Sequence, residues 1–336
     1  MFIMKRIIEQ LLNKENLNQS ESREVMSKTM SGEFNDAQIA GFLVALRSKG
    51  ETAEEIAGFA EAMREKMTPV SVSEGAIDMC GTGGDAKGTF NISTASSLVA
   101  AGAGVKIAKH GNRSMTSKSG SADVLTALGV DINLPPEKCA ECIEDIGIGF
   151  FFAPSFHPAM KHAMGARKSL AIYTVFNILG PLCNPADVKR QLMGIFRADL
   201  TDTVAHVLKH LKSEKAFVVH GSDGLDEIST TTATQISHLN TDGSIENFTV
   251  SPSDYEIKIT SLEKLKGCSP EENARIITKI LNGEKGPHRD IVVLNAGAGI
   301  CVAGLTDTIS DGLKLAEESI DSGKAMNTLK RLAEVK

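Results

Sequence analysis

From residue 76 onward, short apolar runs alternate with stretches of helical periodicity, and this alternation constrains the fold more than any other feature. A chain that alternates in this way buries its strands in a mainly parallel sheet whose faces are covered by helices. We therefore predict an α/β fold. Five runs are predicted to be strands: AIDMC (76–80), VKIAKHG (105–111), IGIGFFFAP (146–154), KAFVVHG (215–221) and DIVVLNAG (290–297).

The first seventy residues have a different pattern, that of successive amphipathic helices. Apolar residues recur at helical spacing over residues 3–12 and form one stripe. Asp36 is predicted to be the N-cap of a later helix, and Thr52 with Glu55 has the spacing of a capping box. We expect Pro69 to end this helical set.

Two later segments depart from the alternation. Residues 157–182 contain two helical patterns in succession and are predicted to return and pack on the N-terminal helices. Residues 236–260 show strand alternation in IENFTV and YEIKIT, which favours antiparallel strands added at one edge of the sheet. We therefore predict a helical domain over 1–71, completed by about 157–186, and an α/β domain over 72–336.

The composition limits the classes of partner. The 336 residues carry a formal net charge of −6, so a general attraction to nucleic acid or to an anionic membrane is not expected. No apolar run reaches the length of about eighteen residues that a spanning helix needs, and we expect a cytoplasmic protein. The six scattered cysteines indicate reduced thiols, and Cys139 and Cys142 are predicted to be i,i+3 neighbours on a helix rather than zinc ligands.

The segment CGTGGDAKGTFNIST, residues 80–94, follows the first predicted strand and precedes a predicted helix. Gly81, Gly83 and Gly84 permit positive φ and a close approach of a ligand to the backbone. In open α/β sheets, ligands bind beyond the carboxyl ends of the strands, where this loop would lie. The segment matches neither the Walker motif nor the dinucleotide fingerprint, so by itself it favours a tight connection over a phosphate site.

A second loop makes a phosphate site the favoured interpretation. KHGNRSMTSKSGSAD, residues 109–123, also follows a strand and precedes a helix. It supplies Lys109, Arg113 and Lys118 together with five serines and threonines, which can donate many hydrogen bonds to phosphate oxygens. Two donor-rich loops at one edge of a sheet predict a site for an anion with more than one phosphate.

A third loop, GLDEIS, places the adjacent carboxylates of Asp226 and Glu227 after the strand predicted at 215–221. Adjacent carboxylates in a loop are usually just solvated. Beside two phosphate-binding loops they indicate Mg²⁺, a hard cation that takes one or two carboxylates and completes its shell with water and phosphate oxygens. The sequence therefore predicts Mg²⁺ as the cofactor.

Seven motifs occur in the order and at about the spacing seen in the anthranilate phosphoribosyltransferases: GTGGD, NIST, KHGNRS, SGSAD, FFAPSFHPAMKHA, TVFNILGPLCNP and GLDEIS. The chain resembles this family over nearly its whole length. The resemblance implies a small helical domain joined to a larger α/β domain with a central, mainly parallel sheet, a nucleoside phosphorylase/phosphoribosyltransferase-like fold. It also implies a homodimer formed through the helical domain, and no nucleic-acid or membrane partner.

The implied activity is that of an Mg²⁺-dependent glycosyltransferase of tryptophan biosynthesis. It would transfer phosphoribose from phosphoribosyl pyrophosphate to the amine of anthranilate, releasing pyrophosphate. The resemblance assigns the metal to Ser93, Asp226 and Glu227, and anthranilate to Gly81, Asn112 and Arg167. It assigns phosphoribosyl pyrophosphate to Gly81, Gly84, Asp85, Thr89, Asn91, Ile92, Ser93, Thr94, Lys109, His110, Gly111, Asn112, Arg113, Ser114, Met115, Thr116, Ser117 and Ser121.

One departure from the family lies beside the implied acceptor site. The family commonly reads Leu-Gly-x-Arg-Thr before Ile-Phe-Asn, whereas this chain has LAIYT at 170–174, so Tyr173 stands where an arginine is usual. No residue is assigned as a general acid or base, because the aromatic amine of anthranilate is neutral at pH 7 and the difficult step is the departure of pyrophosphate. We expect His110, His157 and His220 to hydrogen-bond the backbone.

Two alternatives remain open from the sequence. A related phosphoribosyltransferase or nucleoside phosphorylase of the same architecture would use another acceptor or free phosphate. A non-catalytic relative that keeps the fold would bind nucleic acid, and the negative net charge argues against it.

Overall fold

The computed structural model describes residues 2–114 and 118–336, and across these residues seven strands form one sheet. The strands are β1 Ile77–Gly81, β2 Ile107–Gly111, β3 Ile148–Phe152, β4 Arg190–Gly194, β5 Lys215–Gly221, β6 Thr234–Leu239 and β7 Ile245–Val250. Their order is β3-β2-β1-β4-β5-β6-β7, with β1 to β5 parallel and β6 and β7 antiparallel at one edge. The predicted mainly parallel sheet with an antiparallel edge is confirmed.

Helices pack on both faces of this sheet, and a hydrophobic core lies on each face. Along β5, Ala216 and Val218 face one core while Phe217 and Val219 face the other. The helices are α1 Phe2–Leu12, α2 Gln19–Met30, α3 Asp36–Lys49, α4 Ala53–Arg64, α5 Ile92–Gly102, α6 Ser121–Ala127, α7 Pro136–Ile146, α8 Ala153–Phe156, α9 Lys161–Leu170, α10 Phe176–Leu182, α11 Thr201–His210, α12 Pro270–Leu281, α13 Pro287–Ala303, α14 Ile309–Asp321 and α15 Lys324–Glu334. In the described part of the chain, none of them is long and apolar enough to cross a bilayer.

Local capping chemistry sets the boundaries of the N-terminal helices. The capping box predicted at Thr52 and Glu55 is present at the start of α4. The prediction of Asp36 as an N-cap is wrong, because Asn35 caps α3 and exchanges side-chain and backbone hydrogen bonds with Gln38. Asp36 lies in the first turn instead, where a carboxylate interacts favourably with the helix dipole.

The segment that was predicted to return to the N-terminal helices does so. Helix α9 contacts α2 and α3, and α10 contacts α4. Ala163 and Ala166 of α9 and Leu179 of α10 are buried in the same core as the N-terminal helices. The small alanines let α9 approach closely, so the segment adds to the helical layer.

Three secondary-structure predictions were wrong or incomplete. DIVVLNAG is not a strand but the middle of α13, a helix that is buried nearly all round and therefore has no polar face to reveal its period. YEIKIT is not a strand, and β7 pairs instead with β6. Strand β4 was not predicted, because its Arg190 and Gln191 interrupt the apolar run.

The order of the strands determines where the loops meet. From β1 the chain crosses to β2 on one side, while β4 lies on the other side of β1. Such a switch point opens a crevice beyond the carboxyl ends of the strands. The loops that follow β1, β2 and β5 all leave the sheet at this edge.

Candidate active site

The glycine loop, residues 81–89, and the acidic loop, residues 222–228, are in direct contact. The Gly83 N–H donates to Asp226 Oδ2 at 2.8 Å. A Cβ on Gly81 would overlap Asp226 Oδ2, and a Cβ on Gly194 would overlap the Asp226 carbonyl. The absence of side chains at the ends of β1 and β4 therefore lets Asp226 lie across both strands.

The acidic loop is also tied to the N-terminus of α5. The Ser93 N–H donates to Glu227 Oε1 at 3.0 Å, and the Ser93 hydroxyl donates to the same oxygen. The first turn of a helix has unpaired N–H groups and a partial positive charge, both of which favour a carboxylate. The three residues predicted to hold the metal are thus brought together.

Burial makes the ionised forms of these carboxyl groups costly. Burial, followed by repulsion from Asp85, raises the pKa of Asp226 to about 7. Burial, followed by repulsion from Asp226, raises the pKa of Glu227 to about 8. Burial also raises the pKa of Asp85. Each group resists ionisation of the others unless a cation joins them.

The chemistry of these groups fits Mg²⁺. Carboxylate and hydroxyl oxygens are the ligands of a hard cation, and Mg²⁺ is usually bound by only one or two carboxylates. Within residues 2–114 and 118–336, no three His, Cys, Asp or Glu side chains are arranged to enclose a metal. Ser93, Asp226 and Glu227 would therefore hold Mg²⁺ together with oxygens of a bound phosphate.

The glycine loop also presents backbone donors. Within the described part of the chain, the N–H groups of Gly84, Asp85 and Ala86 have no acceptor. The backbone is left-handed at Gly84 (φ 81°) and Ala86 (φ 55°). Successive N–H groups in such a conformation form a concave anion-binding nest.

Lys87 is a functional candidate that the sequence prediction missed. Its ammonium-bearing end lies over Gly224 of the acidic loop, because a Cβ on Gly224 would be 2.7 Å from Lys87 Cε. Its positive charge partly offsets the rise in the Asp85 pKa that burial causes. Its position between the glycines of the predicted loop is the feature of the sequence that could have indicated a role for Lys87.

The second loop is organised around Asp123. Its carboxylate accepts from the Ser114 N–H (3.0 Å) and the Gly120 N–H (2.9 Å), and it pairs with Arg113 at 2.9 Å. The Ser121 hydroxyl donates to the Asn112 carbonyl at 3.3 Å. The predicted ligands Met115, Thr116 and Ser117 lie outside the described residues.

Lys109, near the end of β2, points away from this loop. Its buried Nζ donates to the Met79 carbonyl at 2.7 Å and lies near Asp78, a buried carboxylate. Burial raises the pKa of Asp78, and the Lys109 charge counteracts part of that rise. Asp78 also accepts from Asn184 Nδ2 at 2.9 Å and from the His110 N–H at 3.3 Å. Asp78 is a charged residue within the predicted buried strand AIDMC, and this feature of the sequence could have indicated a buried polar network.

Five other residues were predicted to bind phosphoribosyl pyrophosphate, and the structure gives each of them a structural contact or position. Asn91 joins the loops, because its side chain binds the Ser119 carbonyl at 3.1 Å and Asn273 Nδ2 at 2.9 Å. Thr89 forms an isolated antiparallel bridge with Lys266. The side chains of Ile92 and Thr94 are buried. Gly111 ends β2, at the same edge of the sheet as Gly81.

Two of the three histidines are buried and neutral. Burial, together with His157, lowers the pKa of His110 to about 3, and burial lowers that of His157 to about 4. Their rings lie 5.0 Å apart, and both Nε2 atoms lack a partner among the described residues. His220 Nδ1 lies 2.7 Å from the Ile195 carbonyl. The ring of His220 is thus bonded to the backbone, as predicted. The backbone of Gly180 and of Cys183 counteracts part of the fall in the pKa of His110 and of His157, respectively.

The returning helical segment brings two more side chains towards this edge. The guanidinium of Arg167, in α9, lies 5.2 Å from the centre of the Phe176 ring. Within the described ranges it has no carboxylate within 4.0 Å and no hydrogen bond, and burial lowers its pKa. Tyr173 Oη donates to the Gly84 carbonyl at 2.6 Å, and its ring stacks on Phe196. Arg167 is thus available to an anionic ligand.

Comparison with known proteins supports a transferase. A family model described as "Glycosyl transferase family, helical bundle domain" matches residues 5–67, and one described as "Glycosyl transferase family, a/b domain" matches residues 73–326. The chain is 52% identical to an anthranilate phosphoribosyltransferase of Acetivibrio thermocellus over 333 residues, which are 99% of this chain and 96% of that one.

Solved structures agree with this result. The anthranilate phosphoribosyltransferase of Thermus thermophilus superposes with a TM-score of 0.92 at 42% identity, over 97% of this chain and 98% of that one. The Saccharomyces cerevisiae enzyme in complex with phosphoribosyl pyrophosphate and Mg has a TM-score of 0.90 at 30% identity, over 98% and 97%. The same yeast enzyme is also known in complex with 4-fluoroanthranilate, at 28% identity and a TM-score of 0.88 over 98% of this chain and 96% of that one.

These matches confirm the predicted fold class, a small helical domain plus a larger α/β domain, and they favour the predicted enzyme over both alternatives. The similarity extends over nearly the whole chain and includes every loop described above. The chain belongs to the anthranilate phosphoribosyltransferase family.

Proposed function

We propose that this chain transfers phosphoribose from phosphoribosyl pyrophosphate to the amine of anthranilate, and that Ser93, Asp226 and Glu227 would hold the Mg²⁺ that the reaction uses. The observation that carries this proposal is the junction of the glycine loop, the N-terminus of α5 and the acidic loop. Asp226 accepts a hydrogen bond from the Gly83 N–H, and Glu227 accepts one from the Ser93 N–H. The neighbouring N–H groups of residues 84–86 have no acceptor in the described part of the chain. The junction thus offers both cation ligands and anion donors.

The donor is held mainly by backbone. The N–H groups of the glycine loop and the first turn of α5 bind phosphate oxygens without a large positive charge, which suits a chain of net charge −6. Mg²⁺ held by the acidic loop would neutralise part of the negative charge that grows on the pyrophosphate leaving group. Lys87 adds a positive charge at the same point.

The acceptor needs orientation more than activation. The amine of anthranilate carries a free electron pair at pH 7, and alignment of amine, anomeric carbon and leaving oxygen accounts for much of the rate. Arg167, half-buried and without a carboxylate partner among the described residues, would form a bidentate pair with the acceptor's carboxylate. The neutral rings of His110 and His157 would each offer one unpartnered nitrogen rather than a charge.

Substitution of Arg167 tests the acceptor site. Arg167→Ala should raise KM for anthranilate by about tenfold to a hundredfold, the loss expected for a charge-assisted hydrogen bond, and change KM for phosphoribosyl pyrophosphate less than about twofold. Arg275→Ala is the matched control, because Arg275 bonds its own helix at the Glu271 carbonyl. Equal increases in both KM values would contradict the assignment.

We also propose a cytoplasmic homodimer that forms through the helical domain, taken as residues 1–71 with about 157–186. The support is a pair of exposed apolar side chains on contacting helices, Leu12 of α1 and Val44 of α3, which are 59% and 45% exposed. Light scattering after size-exclusion chromatography should give a dimer mass for the wild-type chain and a monomer mass for a Leu12→Glu, Val44→Glu variant. A wild-type monomer would contradict the proposal.

A further inference from the structure

We propose that Tyr173 is a positioning residue that holds the glycine loop in its anion-binding conformation. It does so from the returning helical segment, through the carbonyl of Gly84. The inference rests on the proposed function, because the anion concerned is the pyrophosphate group of the donor. The inference requires no contact between Tyr173 and the substrate.

Tyr173 is fixed on three sides. Its ring stacks on Phe196, with ring centres 5.0 Å apart and planes at 21°. Arg47 of α3 donates to its backbone carbonyl. Its hydroxyl donates to the Gly84 carbonyl at 2.6 Å. Tyr173 therefore connects helix α3 to the glycine loop and fixes the position of one relative to the other.

Phe196 also contributes to the same loop through its backbone. Its N–H donates to the Thr82 hydroxyl at 3.1 Å. The residue on which Tyr173 stacks is therefore itself bonded to the glycine loop, two residues before Gly84. The aromatic pair and the loop form one unit, and the hydroxyl of Tyr173 completes it.

The geometry of the peptide group explains why this bond matters for an anion. In a trans peptide the carbonyl of Gly84 and the N–H of Asp85 point in opposite directions. A donor that fixes the Gly84 carbonyl towards Tyr173 therefore directs the Asp85 N–H away from it. That N–H is one of the groups without an acceptor in the described part of the chain.

The alternative orientation would oppose binding. If this peptide group rotated, an oxygen lone pair would replace an N–H in the nest, and a carbonyl repels phosphate oxygens. Gly84 has φ of 81° and could rotate easily, because it has no side chain. A Cβ on Gly84 would lie 2.6 Å from Tyr173 Oη, so glycine also permits the close approach of the tyrosine.

Removal of one oxygen atom tests the inference. Tyr173→Phe keeps the stacked ring and deletes the hydroxyl. We expect KM for phosphoribosyl pyrophosphate, and its Kd with Mg²⁺ by titration calorimetry, to rise about fivefold to tenfold, the loss for one net hydrogen bond. We expect kcat and KM for anthranilate to change less than about twofold. The matched control is Tyr255→Phe, since Tyr255 is the other tyrosine of the chain and packs against the hydrophobic core on the Phe217 face of the sheet.

The outcomes separate this inference from the proposed function. If the wild-type chain binds no phosphoribosyl pyrophosphate, both fail. If it binds the donor and Tyr173→Phe binds equally well, only the inference fails. An equal rise in KM for both substrates, or a loss of kcat alone, also overturns it, because a general disturbance of the structure rather than the orientation of one peptide group would then be responsible.

Discussion

Glu227→Gln should stabilise the metal-free protein, and mainly at alkaline pH. Glu227 is partly buried, and burial, followed by the charge of Asp226, raises its pKa from 4.5 to about 8. The folded chain therefore keeps this proton up to about pH 8, whereas the unfolded chain loses it near pH 4.5. Because the unfolded state binds fewer protons in this window, the free energy of unfolding falls as the pH rises through it.

The size of the effect follows from the same values. Each pH unit between the two pKa values corresponds to about 1.4 kcal/mol, so the wild-type chain loses up to about 5 kcal/mol by about pH 8.5 but only about 1 kcal/mol at about pH 5. Glutamine cannot ionise and keeps Oε1, so it still accepts from the N–H and hydroxyl of Ser93. At each pH, the free energy of unfolding of the variant should therefore exceed that of the wild type by the amount that the wild type loses at that pH.

Urea denaturation without Mg²⁺, at about pH 5 and about pH 8.5, measures this difference directly. Shifts of titrating groups that do not interact with Glu227 cancel, because they are common to both proteins. Asp226 adds to the difference in the same direction, because its ionisation costs less once the Glu227 charge is absent. With Mg²⁺ and phosphoribosyl pyrophosphate present, the advantage of the variant should shrink, because the wild type keeps all three proposed metal ligands and gains more stability from binding. The same stability difference between the two proteins at both pH values would refute the reasoning, since Glu227 would then ionise freely in the folded state.

Three further substitutions or measurements have definite outcomes. Gly81→Ala should lower kcat/KM by about a hundredfold in steady-state assays, because its Cβ would overlap Asp226 Oδ2, whereas Gly180→Ala, whose Cβ meets nothing within 4 Å, should have little effect. His110, with a pKa of about 3, should show no titration between about pH 5 and 9 in nitrogen-15 spectra, and titration in that range would contradict its burial. Glu55→Ala should lower the free energy of unfolding by about 3–5 kcal/mol in urea denaturation, because it leaves Lys49 without its partner in a buried ion pair. The side chains of Lys49 and Glu55 are 3% and 0% exposed. An equal loss for Glu54→Ala, at an exposed position, would contradict this.

The loops of the site could be predicted because their signals are local. Glycines, hydroxyl residues and adjacent carboxylates directly follow apolar runs in the sequence, and parallel strands bring their carboxyl ends to one edge. That reasoning indicated Asp226 and Glu227 as magnesium ligands, and the family resemblance added Ser93. The structure brings these three residues together.

The features that escaped prediction depend on distant partners. Helix α13 is apolar all round because other helices and the sheet surround it, so its sequence resembles a buried strand. The polar Gln191 of β4 is buried with its amide bonded to the Pro181 carbonyl. Lys109 turns inward towards the Met79 carbonyl, and Tyr173 reaches Gly84 across 89 positions of the chain, which no local pattern records.

The most direct test of the function is an assay of the complete reaction. The purified chain is mixed with Mg²⁺, phosphoribosyl pyrophosphate and anthranilate, and the loss of anthranilate fluorescence is followed together with pyrophosphate release. We predict that the two occur in equal amounts and that both stop when Mg²⁺ is chelated. Unchanged anthranilate fluorescence, with pyrophosphate released only when another amine or base is supplied, would contradict the assigned acceptor.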